Sequence, residues 1–208
     1  MSRPLLITDC DEVLLHMVSH FAEWIEEAHG YRFVLEEPGF ANAVRDAATG
    51  EAIAAEEVWP LLGGFFDSEM HRQHVVPGAA EALREIGAGA DIVILTNIGD
   101  EYQASRVEQL GAFDIHHRVL CNRGGKGQPV LALIEEMRPS VAVFVDDLPV
   151  HHESVAKHAP QVWRLHMIAE PRVAAHVPPS PDAHARLDDW ADAKPWILAR
   201  FAEGPARG

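Results

Sequence analysis

Two aspartates, Asp9 and Asp11, close the first apolar run of the chain, in the string Leu5-Leu6-Ile7-Thr8-Asp9-Cys10-Asp11-Glu12-Val13. Carboxylates two residues apart share a face while a strand continues and diverge where it breaks. Either way they bring negative charge and proton-transfer capacity to one strand end. Three later strings could complete a site. Thr96-Asn97 follows the run 92–95; a hydroxyl and backbone N–H groups there suit phosphate oxygens, although an ordinary helix cap has the same composition. Lys126 lies in Arg123-Gly124-Gly125-Lys126-Gly127. Glycines let backbone and lysine approach a ligand, and the cation would offset a phosphoryl group and the carboxylate attacking it; an exposed loop lysine is the plainer alternative. Asp146-Asp147 ends the run 141–145. Adjacent acids after a buried strand suit Mg²⁺, which takes few carboxylates and keeps several waters, or else they cap the next helix.

These residues need a scaffold that gathers strand ends. Short aliphatic runs at 5–8, 92–96, 141–145 and 162–165, with a further short run at 118–121, read as strands buried on both faces. Helical patterns at 78–86, 100–110, 128–137 and 149–158 lie between them, and Gly111 is placed to cap the second. Alternating strands and helices imply an α/β, Rossmann-like, doubly wound and mainly parallel sheet, in which ligands sit at the carboxyl edge. Residues 15–76 break the rhythm. Helical spacing at 16–29, helical stretches at 41–48 and 52–62, a turn at Pro38-Gly39 and an interruption at Gly63-Gly64 predict a small helical insertion. The expected division is a core of 1–14 and 77–208 and a cap of 15–76, or else a helical layer with no gating role. Pro178-Pro179-Ser180-Pro181 reads as an extended loop. Residues 188–201 read as a last helix, with Pro195 delaying or kinking it.

The order and strand-end placement of Asp-x-Asp-x-Val, Thr, Lys and Asp-Asp resemble the haloacid dehalogenase superfamily of aspartate-nucleophile phosphohydrolases, over about residues 4–14 and 77–167. The resemblance implies that Asp9 is the nucleophile and that Asp11 protonates the leaving oxygen and then deprotonates water. It implies that Thr96, with Asn97, holds the phosphoryl group and that Lys126 orients Asp9. Mg²⁺ would be held by Asp9, Asp146, Asp147 and the backbone carbonyl of Asp11. Asp11 favours phosphoryl transfer over dehalogenation, since halide leaves without a proton. Two features depart from the pattern. Glu12 stands where glycine is most frequent, and His151-His152 stand where a further acid is common; these histidines are expected to face solvent, the alternative being that they hydrogen-bond the site.

The implied activity is Mg²⁺-dependent hydrolysis of a small phosphorylated metabolite through an aspartyl-phosphate. Trp59, Phe65, Phe66 and His71 are candidates to line the entrance. A weaker resemblance, to 5′(3′)-deoxyribonucleotidases, rests on the short helical cap and the stretch from Phe65-Phe66 to Pro77-Gly78. A fold-conserving binding or regulatory protein with weak chemistry is the alternative, supported by Glu12 and an insertion with eleven acids against three bases. A phosphomutase would need a sugar-phosphate site that the sequence does not show. The chain of 208 residues carries 32 acidic and 17 basic side chains, a formal charge of −15. Such a surface repels nucleic-acid polymers and acidic membranes, so a phosphorylated substrate needs a local cation. Two cysteines, Cys10 and Cys121, give no disulfide framework. With no apolar run long enough for a membrane span or signal peptide, a cytoplasmic setting is expected. Cys10 is expected to pack inside, and the pairs His116-His117 and His151-His152 lack zinc spacing.

Overall fold

The computed structural model describes residues 2–34 and 39–206. Its centre is a six-stranded, all-parallel sheet. The strands are β1 (Leu5–Thr8), β4 (Asp91–Thr96), β5 (Arg118–Cys121), β6 (Ala142–Asp146), β7 (Trp163–His166) and β8 (Ala185–Arg186), in the spatial order β5-β4-β1-β6-β7-β8. The chain leaves β1, builds outward through β4 and β5, then returns to β6 on the other side of β1. The order therefore reverses at β1, where open α/β sheets leave a crevice.

Alternation along each strand sends side chains to two cores. Leu6, Ile92, Ile94, Val143 and Val145 face α3 (Ala79–Gly87) and α8 (Trp190–Glu203). Leu5, Ile7, Val93, Leu95 and Phe144 face α5 (Gly127–Met137) and α6 (Pro149–His158). The expected strands and helices of the core recur with ends shifted by no more than three residues. Strand β8, two residues long, is too short to leave a pattern. Helix α4 (Gln103–Gly111) takes in Gly111, and the left-handed residue that ends the turn is Asp114, φ 61°. The last helix starts at Trp190, capped by Asp189, whose carboxylate accepts from the Asp192 N–H at 2.8 Å, and runs through Pro195. A four-residue helix, α7 (Pro171–Ala174), follows β7.

Between β1 and α3 lie α1 (Val18–His29), an antiparallel pair β2 (Tyr31–Phe33) and β3 (Val44–Asp46), and α2 (Ala55–Ser68). They close their own apolar cluster around Phe21, Trp24, Ile25, Val44, Val58 and Phe65. Two expectations fail here. Residues 41–48 are not helical: a 3-10 turn, Phe40–Ala43, leads into β3. Val44 is fully buried in the cluster, and the Asp46 carboxylate accepts from the N–H groups of Ala48 and Thr49, which fixes a turn. Gly63-Gly64 does not break α2; a Cβ on Gly64 would sit 3.3 Å from the Trp24 ring, so the glycine lets α1 and α2 approach. The expected turn at Pro38-Gly39 lies partly outside the described residues. Among the described residues no helix is long and apolar enough to cross a membrane.

Candidate active site

The ends of β1 and β6 and the loop before α5 converge. Asp9 follows β1, and its N–H donates to the Val145 carbonyl at 2.8 Å, which ties the first residue past β1 to β6. Lys126 is fully buried at the start of α5, with Nζ 2.8 Å from Asp9 Oδ1 and 2.6 Å from Asp146 Oδ2. The lysine can reach inward because α5 starts tight against α6: a Cβ on Gly127 would lie 2.1 Å from the Ser154 carbonyl oxygen. The flanking carboxylates outweigh burial and hold the Lys126 ammonium above its ordinary pKa.

Asp9, Asp146 and Asp147 each bring one carboxylate oxygen within 4.8 Å of the others, a spacing that one cation can bridge. The two adjacent aspartates differ in how free they are. Asp146 spends Oδ2 on Lys126 and Oδ1 on the Leu148 N–H. Asp147 has no side-chain hydrogen bond or ion pair among the described residues, and burial, then the charges of Asp146 and Asp9, push its pKa well up. An acid raised by acidic neighbours is the donor set that a divalent cation would relieve. The residues present therefore fit a hard cation with oxygen ligands.

Thr96, at the end of β4, is fully buried and its hydroxyl has no hydrogen-bond partner among the described residues. An orphaned buried hydroxyl costs free energy unless a ligand or water completes it. Asn97 lines the cavity above the carboxylates, yet its side chain ties loops together. Its Nδ2 donates to the Gly124 carbonyl at 2.9 Å, and its Oδ1 accepts from Asn122 at 2.8 Å.

Asp11 faces a different set. Both its oxygens accept from Arg106 Nη2 at 3.0 Å, and Oδ1 also accepts from Gln73 Nε2 at 2.6 Å. Arg106 is fully buried on α4, also donates to Gln73 and Gln109, and lies 5.7 Å over the Phe66 ring. Burial raises the Asp11 pKa while Arg106 pulls it down. Nothing in the sequence singled out Arg106 or Gln73; a lone arginine in an amphipathic helix and a glutamine in a linker carry no spacing signal.

Glu12 adopts φ 60°, in the left-handed region that favours glycine. Its side chain occupies the start of α1, where Oε1 accepts from the N–H groups of Met17 and Val18 at 2.8 and 2.7 Å. His151 and His152 do not face solvent as expected. Both are buried, with His152 Nε2 3.0 Å from the Asp146 carbonyl oxygen and its pKa lowered to about 3, chiefly by burial. They lie on the inner face of α6, a placement that its short, mixed pattern did not reveal. Cys10 is fully buried. Of the expected entrance residues, Trp59 and Phe66 line the cavity, Phe65 packs in the insertion's own cluster, and His71 is exposed and apart from the cavity.

No protein-family model and no curated protein matches the chain by sequence. Solved structures do match by shape. A protein of Burkholderia xenovorans assigned as a haloacid dehalogenase-like hydrolase superposes with a TM-score of 0.63 at 18% identity, over 97% of this chain and 99% of that one. A haloacid dehalogenase superfamily hydrolase of Geobacter sulfurreducens gives 0.60 at 19%, over 94% and 96%. A protein of Bacillus subtilis assigned as a hydrolase of this superfamily and solved bound to magnesium gives 0.65 at 10%, over 95% and 99%. The chain thus has the haloacid dehalogenase-like fold, over essentially its whole length.

Proposed function

We propose that the chain is a Mg²⁺-dependent phosphomonoester hydrolase working through an aspartyl-phosphate on Asp9. The observation that carries this reading is the Asp9–Lys126–Asp146 ion triad, with the unpartnered Asp147 beside it, at the strand-order reversal of the sheet. Asp9, Asp147 and the backbone carbonyl of Asp11 would hold the cation, with Asp146 holding Lys126. When bound, Mg²⁺ would offset phosphate charge and draw electrons from phosphorus, which reconciles an acidic site with an anionic substrate.

Asp9 attacks phosphorus as the bond to the leaving oxygen breaks, and Asp11 gives that oxygen its proton, releasing an alcohol. Water then attacks phosphorus, Asp11 takes its proton, and the Asp9–phosphorus bond breaks to release inorganic phosphate. Burial supports the proton-carrying form of Asp11, and Arg106 with Gln73 fixes its position at the cavity wall. Lys126 holds Asp9 in place and offsets charge as it builds. Thr96 would donate its free hydroxyl to a phosphoryl oxygen. The insertion of residues 15–76 would cap the site and set the choice of leaving group. The test is turnover of 4-nitrophenyl phosphate with Mg²⁺: Asp9→Asn should abolish it while circular dichroism shows the fold retained, and undiminished turnover would overturn the reading.

A further inference from the structure

Above the carboxylates the cavity encloses about 750 Å³, a volume typical of pockets that bury a small organic ligand. Its composition is divided by depth. The floor is acidic, with Asp9, Asp11, Glu12 and Asp147. On the insertion side the walls are Met17, Phe33, Phe40, Trp59, Leu62 and Phe66; across from them stand Val150, Val173, Val177 and Pro178. Among the described residues no lysine or arginine lines this space. The two buried cations nearby are committed, Lys126 to Asp9 and Asp146 and Arg106 to Asp11. Of the neutral polar side chains, Asn97 has its amide engaged with Gly124, Asn122 and the His151 ring, which leaves His176.

Such walls reject two kinds of leaving group. A second carboxylate or phosphate would lose its hydration among four acids and gain no cation. A polyhydroxylated sugar would leave most of its hydroxyls unpaired. An apolar ring loses nothing by leaving water, and the aromatic wall offers it faces to pack on. Phe40 and Trp59, with rings 6.4 Å apart and 19° from parallel, present one such wall.

We propose that this site takes phosphate monoesters whose leaving group is an uncharged, largely apolar alcohol bearing a ring, and that it discriminates against monoesters carrying a second acidic group. The turnover part of this inference rests on the phosphomonoesterase reading; the binding part does not.

The test uses the full chain with Mg²⁺ and two compounds that differ by one carboxylate, 2-phenylethyl phosphate and its para-carboxylated analogue, with glucose 6-phosphate as the polyhydroxylated control. The alcohols are of one reactivity class, so differences report the pocket. The expected result is a kcat/KM for 2-phenylethyl phosphate at least 30-fold above either of the others. Equal or reversed preference overturns the inference while leaving the phosphatase reading intact. If none is hydrolysed, the phosphatase reading is decided separately by turnover of 4-nitrophenyl phosphate, and calorimetric binding of the same three compounds decides the inference: at least tenfold tighter binding of 2-phenylethyl phosphate sustains it, and equal binding overturns it. Trp59 is 56% exposed, so its replacement should not threaten folding. Trp59→Ala should raise KM for 2-phenylethyl phosphate severalfold, and Trp59→Arg should narrow the gap to the carboxylated analogue. A gap that neither variant changes would remove the aromatic wall from the account.

Discussion

Asp9 and Asp11 are two residues apart and are served by different parts of the molecule. Every partner of Asp9 comes from a strand end or the loop beside it: Lys126 before α5, Asp146 at the end of β6 and Asp147 just after it. Every partner of Asp11 comes from elsewhere: Arg106 from the middle of α4, and Gln73 from the end of the insertion, shortly before α3. That second group continues outward, with Gln109 donating to the Met70 carbonyl and Arg106 lying against Phe66 of the insertion. The Asp9 side is thus built by sheet topology, whereas the Asp11 side is built by contact between core and insertion. Under the proposed function the nucleophile is fixed by the most buried part of the fold, and the acid is held where the insertion meets it.

The largest test of this division is Lys126→Met. It leaves Asp9 and Asp146 facing each other in the core without a cation. Removing one partner of a buried ion pair costs about 3–5 kcal/mol, so urea unfolding should show a loss of that size along with loss of turnover. A loss below about 1 kcal/mol would mean that the triad is not closed to water, contrary to its burial. Arg106→Leu should cost less, roughly 2 kcal/mol, because Gln73 still bonds Asp11 and the Asp11 side chain is 15% exposed. Its distinguishing effect is kinetic: a misplaced acid lowers kcat more than it raises KM. Arg106→Lys should recover stability better than kcat, since one ammonium cannot hold both Asp11 oxygens while also donating to Gln73 and Gln109, as Nη2 and Nη1 do. If Arg106→Leu changed KM alone, the Asp11 side would belong to binding and not to proton transfer.

The same division explains what could be read from the sequence. Asp9, Thr96 and Asp146-Asp147 stand at the end of apolar runs, and Lys126 stands in a glycine-rich loop between a strand and a helix, so strand recognition and residue type together singled them out. Five of the six core strands were legible for the same reason, since buried parallel strands are near-continuous aliphatic runs, whereas the two-residue β8 was not. Arg106 and Gln73 have no such marker, because their partner is set by how two layers pack. The insertion misled where tertiary contacts overrode local composition: alanine-rich 41–48 turned extended to bury Val44, and Gly64 served a close helix contact instead of a break. His151 and His152 were misplaced because a ten-residue helix with few apolar residues does not declare its inner face.

On the Asp9 side a smaller effect of opposite sign is expected. Asp147 is an acid held among acids, and its side chain has no hydrogen bond or ion pair among the described residues. Asp147→Asn should therefore stabilise the metal-free protein by about 1 kcal/mol, removing like-charge repulsion, and should abolish the rise in Tm that Mg²⁺ gives the wild type. Thermal unfolding with and without chelator reads both. A variant that lost stability without metal, or kept the Mg²⁺-induced rise, would take Asp147 out of the cation site.

The finest distinction concerns Glu12, which stands between the two sides. Its φ of 60° costs a residue with a Cβ about 1–2 kcal/mol relative to glycine. Its Oε1 repays part of that cost by accepting from two N–H groups at the start of α1, a capping contact of about 1 kcal/mol. Its Oε2 is buried without a partner among the described residues, and burial lifts the carboxyl to a pKa of about 7. Glu12→Ala keeps the strained backbone and discards the cap, so it should be the less stable of two replacements. Glu12→Gly discards the cap and the strain together and should unfold within about 0.5 kcal/mol of the wild type, roughly 1 kcal/mol above Glu12→Ala. Equal stability of the two variants would show that the loop relaxes out of the left-handed conformation once the side chain is gone. The backbone would then be bent by the cap and not by the path of the chain from β1 into the insertion.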